Sequence, residues 1–156
     1  MRTILKLHRS LTGDLAQPQT SVEISTFQES DAAEWLVLNN RIFITHPDQG
    51  DWVMEDLTNR MAENWFDFEG FFLARQAGRI IGYCWTKIHH DRVNEGAIGE
   101  IYVLGVDPAA HSSGLGKALT LTGLNYFRRK GIKESMLYVD ADNHAALILY
   151  KKLGFN

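Results

Sequence analysis

A glycine-rich loop between a strand-like run and a helix-like run is the feature that most constrains this chain. Residues 98–106, IGEIYVLGV, form an apolar run rich in β-formers, and Gly114 and Gly116 follow it within HSSGLGKAL. From Leu115 onward, apolar residues recur at helical spacing up to Gly131. The first turn of such a helix offers free N–H groups and the positive end of the helix dipole. The pattern therefore predicts a strand, a loop and a helix whose N-terminus can bind an anion.

The glycine spacing distinguishes this loop from two common phosphate-binding motifs. A P-loop would need Ser or Thr after Gly-Lys, but Gly116 and Lys117 are followed by Ala118. No third glycine follows Gly116 after two intervening residues, as the dinucleotide-binding fingerprint requires. Taken alone, the loop is consistent with either a pyrophosphate cradle that needs no metal or a plain strand-to-helix turn.

Periodic patterns elsewhere predict an α/β fold. Alternation in residues 21–27 indicates a strand, and Ser30 and Asp51 are suitable N-caps for two amphipathic helices. The runs FFLARQ and RIIGYCWTKI, separated by Ala-Gly, indicate a β-hairpin. Residues 136–155 then indicate a strand, an Asn/Asp turn and a short helix that ends at Gly154.

Length and charge set the class of protein. With 156 residues, the chain is long enough for one domain with its own core. We place that domain at residues 21–156, because residues 1–20 mix Gly, Pro and polar residues in the manner of a leader or linker. A formal net charge of -3 gives no basic field for nucleic acid or an anionic membrane. The single cysteine, Cys84, and the lack of a signal peptide or an apolar run near the roughly 20 residues of a membrane span favour the cytoplasm.

Three motifs together resemble the acetyl-CoA-binding core of the GCN5-related N-acetyltransferase (GNAT) family. They are VLGVDP at 103–108, HSSGLGKAL at 111–119 and DNHAALILYKKLGF at 142–155, and the resemblance spans residues 22–155. It implies a GNAT fold, in which helices flank a mixed central β-sheet and a splayed strand pair binds acetyl-CoA. The co-substrate would be acetyl-CoA, and the resemblance implies no metal.

Further motifs are similar to one branch of that family, the mycothiol synthases, in their C-terminal catalytic half. They are HPDQGDW at 46–52, WFDFEGFFLA at 65–74 and WTKIH at 85–89. The resemblance implies an N-acetyltransferase that acetylates the cysteinyl amine of desacetylmycothiol, a small aminothiol sugar, to give mycothiol. It also implies a sister GNAT domain on the N-terminal side and one more strand after the last residue, without which a sheet edge is left unpaired.

The resemblance assigns three groups of residues to acetyl-CoA. The first would present strand-edge N–H and C=O groups to the pantetheine arm, the second would hold the pyrophosphate, and the third would contact the far end of the pantetheine and the thioester. In this order the groups are Leu104, Gly105 and Val106; His111, Ser112, Ser113, Gly114, Leu115, Gly116 and Lys117; and Asn143, His144, Ala145, Ala146, Leu147 and Ile148.

The resemblance also assigns residues to the acceptor and to proton transfer. Acceptor-binding positions correspond to Asp48, Lys87, Glu100 and Tyr138. Glu100 would accept the proton of the attacking amine through a water, which is modest work because an α-amine has a reference pKa of about 7.7 to 8.0. Tyr150 would donate a proton to the departing thiolate, and the N–H of Val106 would polarise the carbonyl.

Each of these residues also has a structural interpretation that the sequence leaves open. Glu100 is equally typical of a solvent-facing strand carboxylate, and Tyr150 of a core tyrosine. Asp48 and Lys87 would otherwise be surface charges, and Tyr138 a strand aromatic packed on its neighbours.

Cys84 has no neighbour in sequence that would lower its pKa, so we interpret it as a small buried hydrophobe. The pairs His46 with Asp48 and His89–His90 with Asp91 lack HExxH or CxxC spacing, so no zinc site is predicted.

Two positions of the pyrophosphate loop depart from the family pattern, and Asp48 stands where related enzymes tend to carry Glu. His111 and Ser113 stand where the family usually has Gln or Arg and a basic residue, which predicts weaker cofactor binding. Two other functions stay open besides mycothiol synthesis. One is acetylation of another amine, such as a protein N-terminus or a polyamine, and the other is a non-catalytic CoA-binding domain.

Overall fold

A mixed β-sheet and four helices form the part of the chain described by the computed structural model, residues 2–92, 95–110 and 114–156. The strands are β1 (Ile4–Ser10), β2 (Glu23–Thr26), β3 (Phe71–Gln76), β4 (Arg79–His89), β5 (Ile98–Val106) and β6 (Glu134–Asp140). The helices are α1 (Ala32–Ile42), α2 (Met54–Met61), α3 (Leu115–Arg129) and α4 (His144–Lys152). In the sheet the strand order is β1-β6-β5-β4-β3-β2.

One parallel pair in this sheet sets the topology. All neighbouring strands are antiparallel except β5 and β6, which run parallel and are connected through α3. Parallel neighbours need such a crossover, because a tight turn cannot return the chain to the same end of the sheet. The predicted strands FFLARQ and IGEIYVLGV and the helix that begins at Leu115 are confirmed.

The predicted N-caps of the first two helices are wrong. Ser30 lies inside a 3-10 turn, Glu29–Asp31, that precedes α1. The start of α2 is capped by Asp56, whose carboxylate accepts a hydrogen bond from the backbone N–H of Val53 at 2.8 Å. The Asp56 carboxylate thus satisfies the N–H of the residue that precedes the helix, as the acid at the third position of a capping box does.

Two hydrophobic cores cover the two faces of the sheet. On one face α3 contributes Leu119, Leu124 and Phe127. On the other face Trp35 of α1 contacts Phe71 and Trp85 edge to face, with ring centroids 5.5 Å apart in each pair. Because both faces are covered, the middle of β4 is buried at successive positions instead of alternating.

The first strand corrects the interpretation of residues 1–20 as a leader or linker, which is wrong for residues 4–10. There β1 pairs with β6 from Ile4 opposite Asp140 to Ser10 opposite Glu134. Leu7 is buried in the core, and the Gly and Pro residues that suggested a linker stand further along the chain. The edge of β6 offered unpaired N–H and C=O groups, and this short run of alternating apolar residues satisfies them.

The strand β1 lies at one edge of the sheet. On its outer side His8 and Asn156 exchange backbone hydrogen bonds of 2.8 and 3.0 Å. A sister domain and a further strand stay predictions.

None of the helices in residues 2–92, 95–110 and 114–156 has the length and apolar character to cross a membrane.

Because β1 belongs to the sheet, replacing its buried and its exposed side chains by alanine should change the stability of the protein by different amounts. Leu7→Ala removes a buried side chain and should lower the free energy of unfolding by about 2–4 kcal/mol. Lys6→Ala, the control, changes an exposed neighbour and should lower it by less than about 0.5 kcal/mol. Urea unfolding followed by circular dichroism measures both, and equal midpoints for Leu7→Ala and the wild type would restore the leader interpretation.

Candidate active site

A cleft opens where β5 and β6 part. The register of these two strands consists of two pairs, Gly99 with Ser135 and Glu100 with Met136. Beyond Glu100 the strands diverge, and a cleft of about 1090 Å³ lies between them. A smaller pocket of about 270 Å³ adjoins it and shares Leu104 and Asn143 of its walls. The site is therefore set by backbone geometry, at a gap between two inner strands of the sheet.

Each diverging strand keeps its other neighbour. Along its full length β6 stays paired with β1, and β5 stays paired with β4. The β4–β5 register shifts between Trp85 and Thr86, so that Tyr102 has no opposite residue. Such a bulge bends and twists its strand, which helps β5 to leave β6.

Two residues on β5 direct their backbone polar groups into the cleft. The N–H of Asp107 donates to the carbonyl of Ile81 in β4 at 2.8 Å. Since successive residues of a strand point their N–H and C=O groups to opposite sides, Val106 and Leu104 point theirs away from β4. Both residues line the cleft, so their groups are available to an extended ligand.

Gly105 lies between these two residues and faces a tight contact. A Cβ atom at this position would lie 2.9 Å from the ring of Tyr83 and 3.0 Å from the δ-methyl of Ile42. Real Cβ atoms essentially never come that close to another heavy atom, so a side chain here would have to displace the Tyr83 ring. Gly105 thus has a packing role in addition to its place in the cleft wall.

The glycine loop ends at the N-terminus of α3. Gly114 precedes the helix with φ of 88°, a left-handed conformation that favours glycine. Leu115 is buried in the core, whereas Lys117 is exposed. A Cβ on Gly116 would lie 3.5 Å from Leu149 and 3.9 Å from Val106, which both line the cleft. The first turn of α3 therefore lies at one end of the cleft.

The other predicted loop residues, His111, Ser112 and Ser113, lie outside the described residues.

The start of α4 forms the opposite wall. Asn143 is its N-cap and accepts a hydrogen bond from the N–H of Ala146 at 3.2 Å. The predicted residues His144, Ala145 and Ala146 line the cleft together with Asn143.

The two remaining residues predicted for this wall lie elsewhere. Leu147 packs on the core, and the side chain of Ile148 is exposed. Leu149, which was not predicted, lines the cleft. A helix presents residues about one turn apart to the same side, so a continuous run such as 143–148 cannot all face one cleft.

Tyr150 and Glu100, the two predicted proton-transfer residues, are both buried. Tyr150 lines the smaller pocket and is buried, which raises the pKa of its phenol above the usual value, so it stays protonated at neutral pH. Glu100 is also buried, at 7% exposure, and its Oε1 lies 2.8 Å from Nε2 of His89. Both predicted proton-transfer residues are thus withdrawn from solvent, which contradicts the interpretation of Glu100 as a solvent-facing carboxylate.

The predicted acceptor-binding residues divide into two pairs. Asp48 and Tyr138 line the smaller pocket. Lys87 lies directly opposite Glu100 in the β4–β5 pair, and its ammonium stands 4.7 Å from the ring centroid of Trp65. Lys87 is therefore held against an aromatic ring beside Glu100 instead of standing free on the surface.

A cluster of polar side chains at the site, Arg2, His46 and Asp140, was also not assigned to it by the sequence analysis. Arg2 donates to Asp48 at 2.5 Å and to Asp140 at 2.6 Å, and His46 lies 3.4 Å from the same Asp140 carboxylate. The hydrogen bond from Arg2 lowers the pKa of Asp140 below its usual value. Arg2 was missed because it directly precedes β1, which the Gly and Pro content of residues 1–20 concealed.

Among the described residues, no three His, Cys, Asp or Glu side chains are grouped so that they could hold a metal ion.

Cys84 matches the interpretation as a buried hydrophobe. It lies on β4 under α3, and a Cβ on Gly123 would come within 2.9 Å of its sulfur. Burial raises the pKa of the Cys84 thiol to about 12. Because the thiolate is the nucleophile, this cysteine is not equipped for covalent catalysis.

Similarity to known sequences covers most of the chain. Residues 28–155 match the family model of the acetyltransferase (GNAT) family. Mycothiol acetyltransferases of Thermobispora bispora and Streptomyces coelicolor are 48% and 47% identical to it over 158 residues each, which is 99% of this chain. The alignments cover 54% and 50% of those two proteins, so the chain spans about half the length of the curated relatives it matches.

Solved structures show the same fold. A GCN5-related N-acetyltransferase from Sphaerobacter thermophilus superposes with a TM-score of 0.77 at 23% identity, covering 99% of this chain and 48% of that one. The ribosomal-protein-S18-alanine N-acetyltransferase of Escherichia coli gives 0.69 at 24% identity, covering 86% and 77%. An aminoglycoside N-acetyltransferase solved with CoA gives 0.70 at 21% identity, covering 91% and 92%. The fold predicted from the sequence is confirmed.

The burial of Cys84 predicts slow alkylation of the folded protein. Because the thiol pKa is raised to about 12 in the folded state, little thiolate exists at pH 8, and burial also restricts access. Iodoacetamide should label Cys84 at least about 100-fold more slowly in buffer than in concentrated urea. Mass spectrometry over time measures both rates, and Cys84 is the chain's single cysteine. Equal rates in the two conditions would show that Cys84 is accessible and ionisable.

Proposed function

Because the chain belongs to the acetyltransferase (GNAT) family, we propose that it transfers the acetyl group of acetyl-CoA to a small-molecule amine. We further propose that this amine is the cysteinyl amine of desacetylmycothiol and that the product is mycothiol. The finer proposal draws on the relatives near 48% identity that carry the name mycothiol acetyltransferase. The observation that supports the general proposal is the cleft between the parted strands, which opens after Glu100 and adjoins the pocket that Tyr150 lines.

The residues of the cleft fit acetyl-CoA, which supplies an activated acetyl thioester when bound. The open backbone groups of Leu104 and Val106 suit the amides of the pantetheine arm. At the end of the cleft, the first turn of α3 offers N–H groups and a positive dipole to the pyrophosphate. Gly114 and Gly116 add no side chains of their own between that turn and a ligand.

Glu100 is the residue that we assign to removal of the amine proton. Glu100 is the last residue of β5 that is paired with β6, so its backbone lies where the two strands part. Little water surrounds a buried carboxylate, so few solvent molecules compete with it for the amine proton, and this suits a general base. The task is modest, because a cysteinyl α-amine has a reference pKa of about 7.7 to 8.0.

Tyr150 is the residue that we assign to protonation of the leaving sulfur. Burial keeps its phenol protonated at neutral pH, so it holds the proton that a departing thiolate needs. The N–H of Val106 points into the same cleft and can donate to the carbonyl oxygen as negative charge develops there. The Tyr150 phenol thus acts on the leaving sulfur, and the Val106 N–H acts on the carbonyl oxygen.

Polar groups around the smaller pocket suit a hydroxyl-rich amine. Tyr138 and Asp48 line this pocket, and Arg2 fixes the Asp48 carboxylate by a direct ion pair. Asp140 lies on the other side of Arg2 and carries negative charge at neutral pH. Carboxylates held in this way can accept hydrogen bonds from sugar hydroxyls and an ammonium group.

Product analysis tests the proposed function. The purified chain is incubated with acetyl-CoA and one of four acceptors, and the acetylated product is measured by mass spectrometry, because the free thiol of the proposed acceptor would disturb thiol reagents. The acceptors are desacetylmycothiol, its glucosaminyl-inositol core without cysteine, an aminoglycoside and a peptide with an N-terminal alanine. We expect N-acetylation of desacetylmycothiol and at least about 100-fold slower turnover of that substrate by Glu100→Gln.

The outcomes separate the three candidate functions. Faster turnover of another acceptor on the panel would replace mycothiol synthesis by a different acetylation. Binding of acetyl-CoA with no product from any acceptor would favour a non-catalytic CoA-binding domain. Equal activity of Glu100→Gln and the wild type would remove Glu100 from its proposed role.

A charge substitution at Gly116 tests the pyrophosphate cradle. Gly116→Asp places a carboxylate where the pyrophosphate is proposed to bind, and we expect the Kd for CoA to rise at least about tenfold through like-charge repulsion. Gly116→Asn is the matched control, because it has the same shape without the charge and should weaken binding less. A Cβ fits here at ordinary contact distances, so both variants should fold. Calorimetric titration with CoA measures Kd, and equal values for Asp and Asn would place the pyrophosphate elsewhere.

A further inference from the structure

We propose that His89 positions the Glu100 carboxylate for proton transfer, by donating a hydrogen bond to one carboxylate oxygen and leaving the other free for the acceptor. This inference rests on the proposed function and adds a residue to it. Nε2 of His89 lies 2.8 Å from Oε1 of Glu100, which is a hydrogen-bond distance.

The sheet places these two side chains on the same face. Across the β4–β5 pair Lys87 lies opposite Glu100, and His89 lies opposite Ile98. Alternate residues of a strand share a face, so Lys87 and His89 both stand on the side of Glu100. Lys87 is the direct neighbour and His89 the diagonal one, and diagonal neighbours lie within reach of long or aromatic side chains.

The chemistry of the pair determines which group donates. An ionised carboxylate can only accept hydrogen bonds, so Nε2 of His89 carries the hydrogen. The side chains of His89 and Glu100 are 26% and 10% exposed. With so little water at the carboxylate, a hydrogen bond to its charge is stronger than on the surface, and it fixes the rotation of the carboxylate group.

Lys87 does not position the Glu100 carboxylate, although it is the residue directly opposite Glu100 in the sheet. Its ammonium stands 4.7 Å from the ring centroid of Trp65 and 5.5 Å from that of Tyr102. Within the part of the chain that the structure describes, the Glu100 carboxylate has its side-chain hydrogen bond with His89. Lys87 therefore contributes positive charge to the surroundings, whereas His89 sets the orientation of the carboxylate.

Two substitutions of similar polarity separate orientation from general packing. Gln places its side-chain NH₂ near the position of Nε2 in His, whereas the shorter Asn places it near Nδ1. His89→Gln therefore keeps the donor to Glu100, and His89→Asn removes it. We expect kcat to fall by at least about tenfold in His89→Asn and by less than about threefold in His89→Gln, with the KM for acetyl-CoA unchanged in both.

A double substitution shows whether His89 acts through Glu100. In the Glu100→Gln background, His89→Asn should cause no further loss of kcat, because the group that it positions has already been removed. Equal kcat values for His89→Asn and the wild type would overturn the proposal. A similar loss from His89→Asn in both backgrounds would assign His89 a structural role independent of Glu100.

A measurement without turnover keeps this proposal separate from the proposed function. The ¹⁵N shifts of the His89 imidazole report which nitrogen carries the hydrogen. We expect hydrogen on Nε2 in the wild type and a change in these shifts in Glu100→Ala. Hydrogen on Nδ1 alone in the wild type, or shifts unaffected by Glu100→Ala, would overturn the inference even if acetyl transfer is found. Failure of acetyl transfer alone would overturn only the proposed function.

Discussion

The parting of β5 from β6 is the constraint on which the rest of the site depends. Two residue pairs join the strands before they diverge, and everything proposed for the cleft follows from the backbone groups that this leaves free. An open strand edge inside a sheet is costly unless a ligand or another segment satisfies its N–H and C=O groups. Tyr150 lines the pocket that adjoins this opening, and Glu100 is the last residue of β5 paired with β6 before the strands part.

Such an opening is stable because each strand is held on its far side. The bulge at Tyr102 bends β5, while β4 keeps it in the sheet. The matching support of β6 comes from β1, which pairs with it from Glu134 to Asp140. Arg2, just before β1, then connects Asp140 to Asp48, so one short segment supports a wall of the cleft and orders its polar groups.

The two proposed proton-transfer residues have contrasting surroundings. Tyr150 is buried among apolar side chains, which keeps its proton in place. Glu100 is equally withdrawn from solvent but has a hydrogen-bond donor in His89 and a cation in Lys87 nearby. The fold thus separates a group that holds a proton from a group that can accept one, and the two lie on different elements that meet at the parted strands.

The sequence by itself determined the elements whose signals are local. Runs rich in β-forming residues predicted β3 and β5, and helical spacing predicted α3. The glycine loop with its flanking motifs indicated the family, because these signals act over a few residues. Tertiary structure decided the rest. Only strand pairing with β6 showed that residues 4–10 belong to the sheet, and only register across β4 and β5 brought His89 to Glu100. Contacts between segments far apart in sequence depend on how edges pair, and local patterns do not encode that pairing.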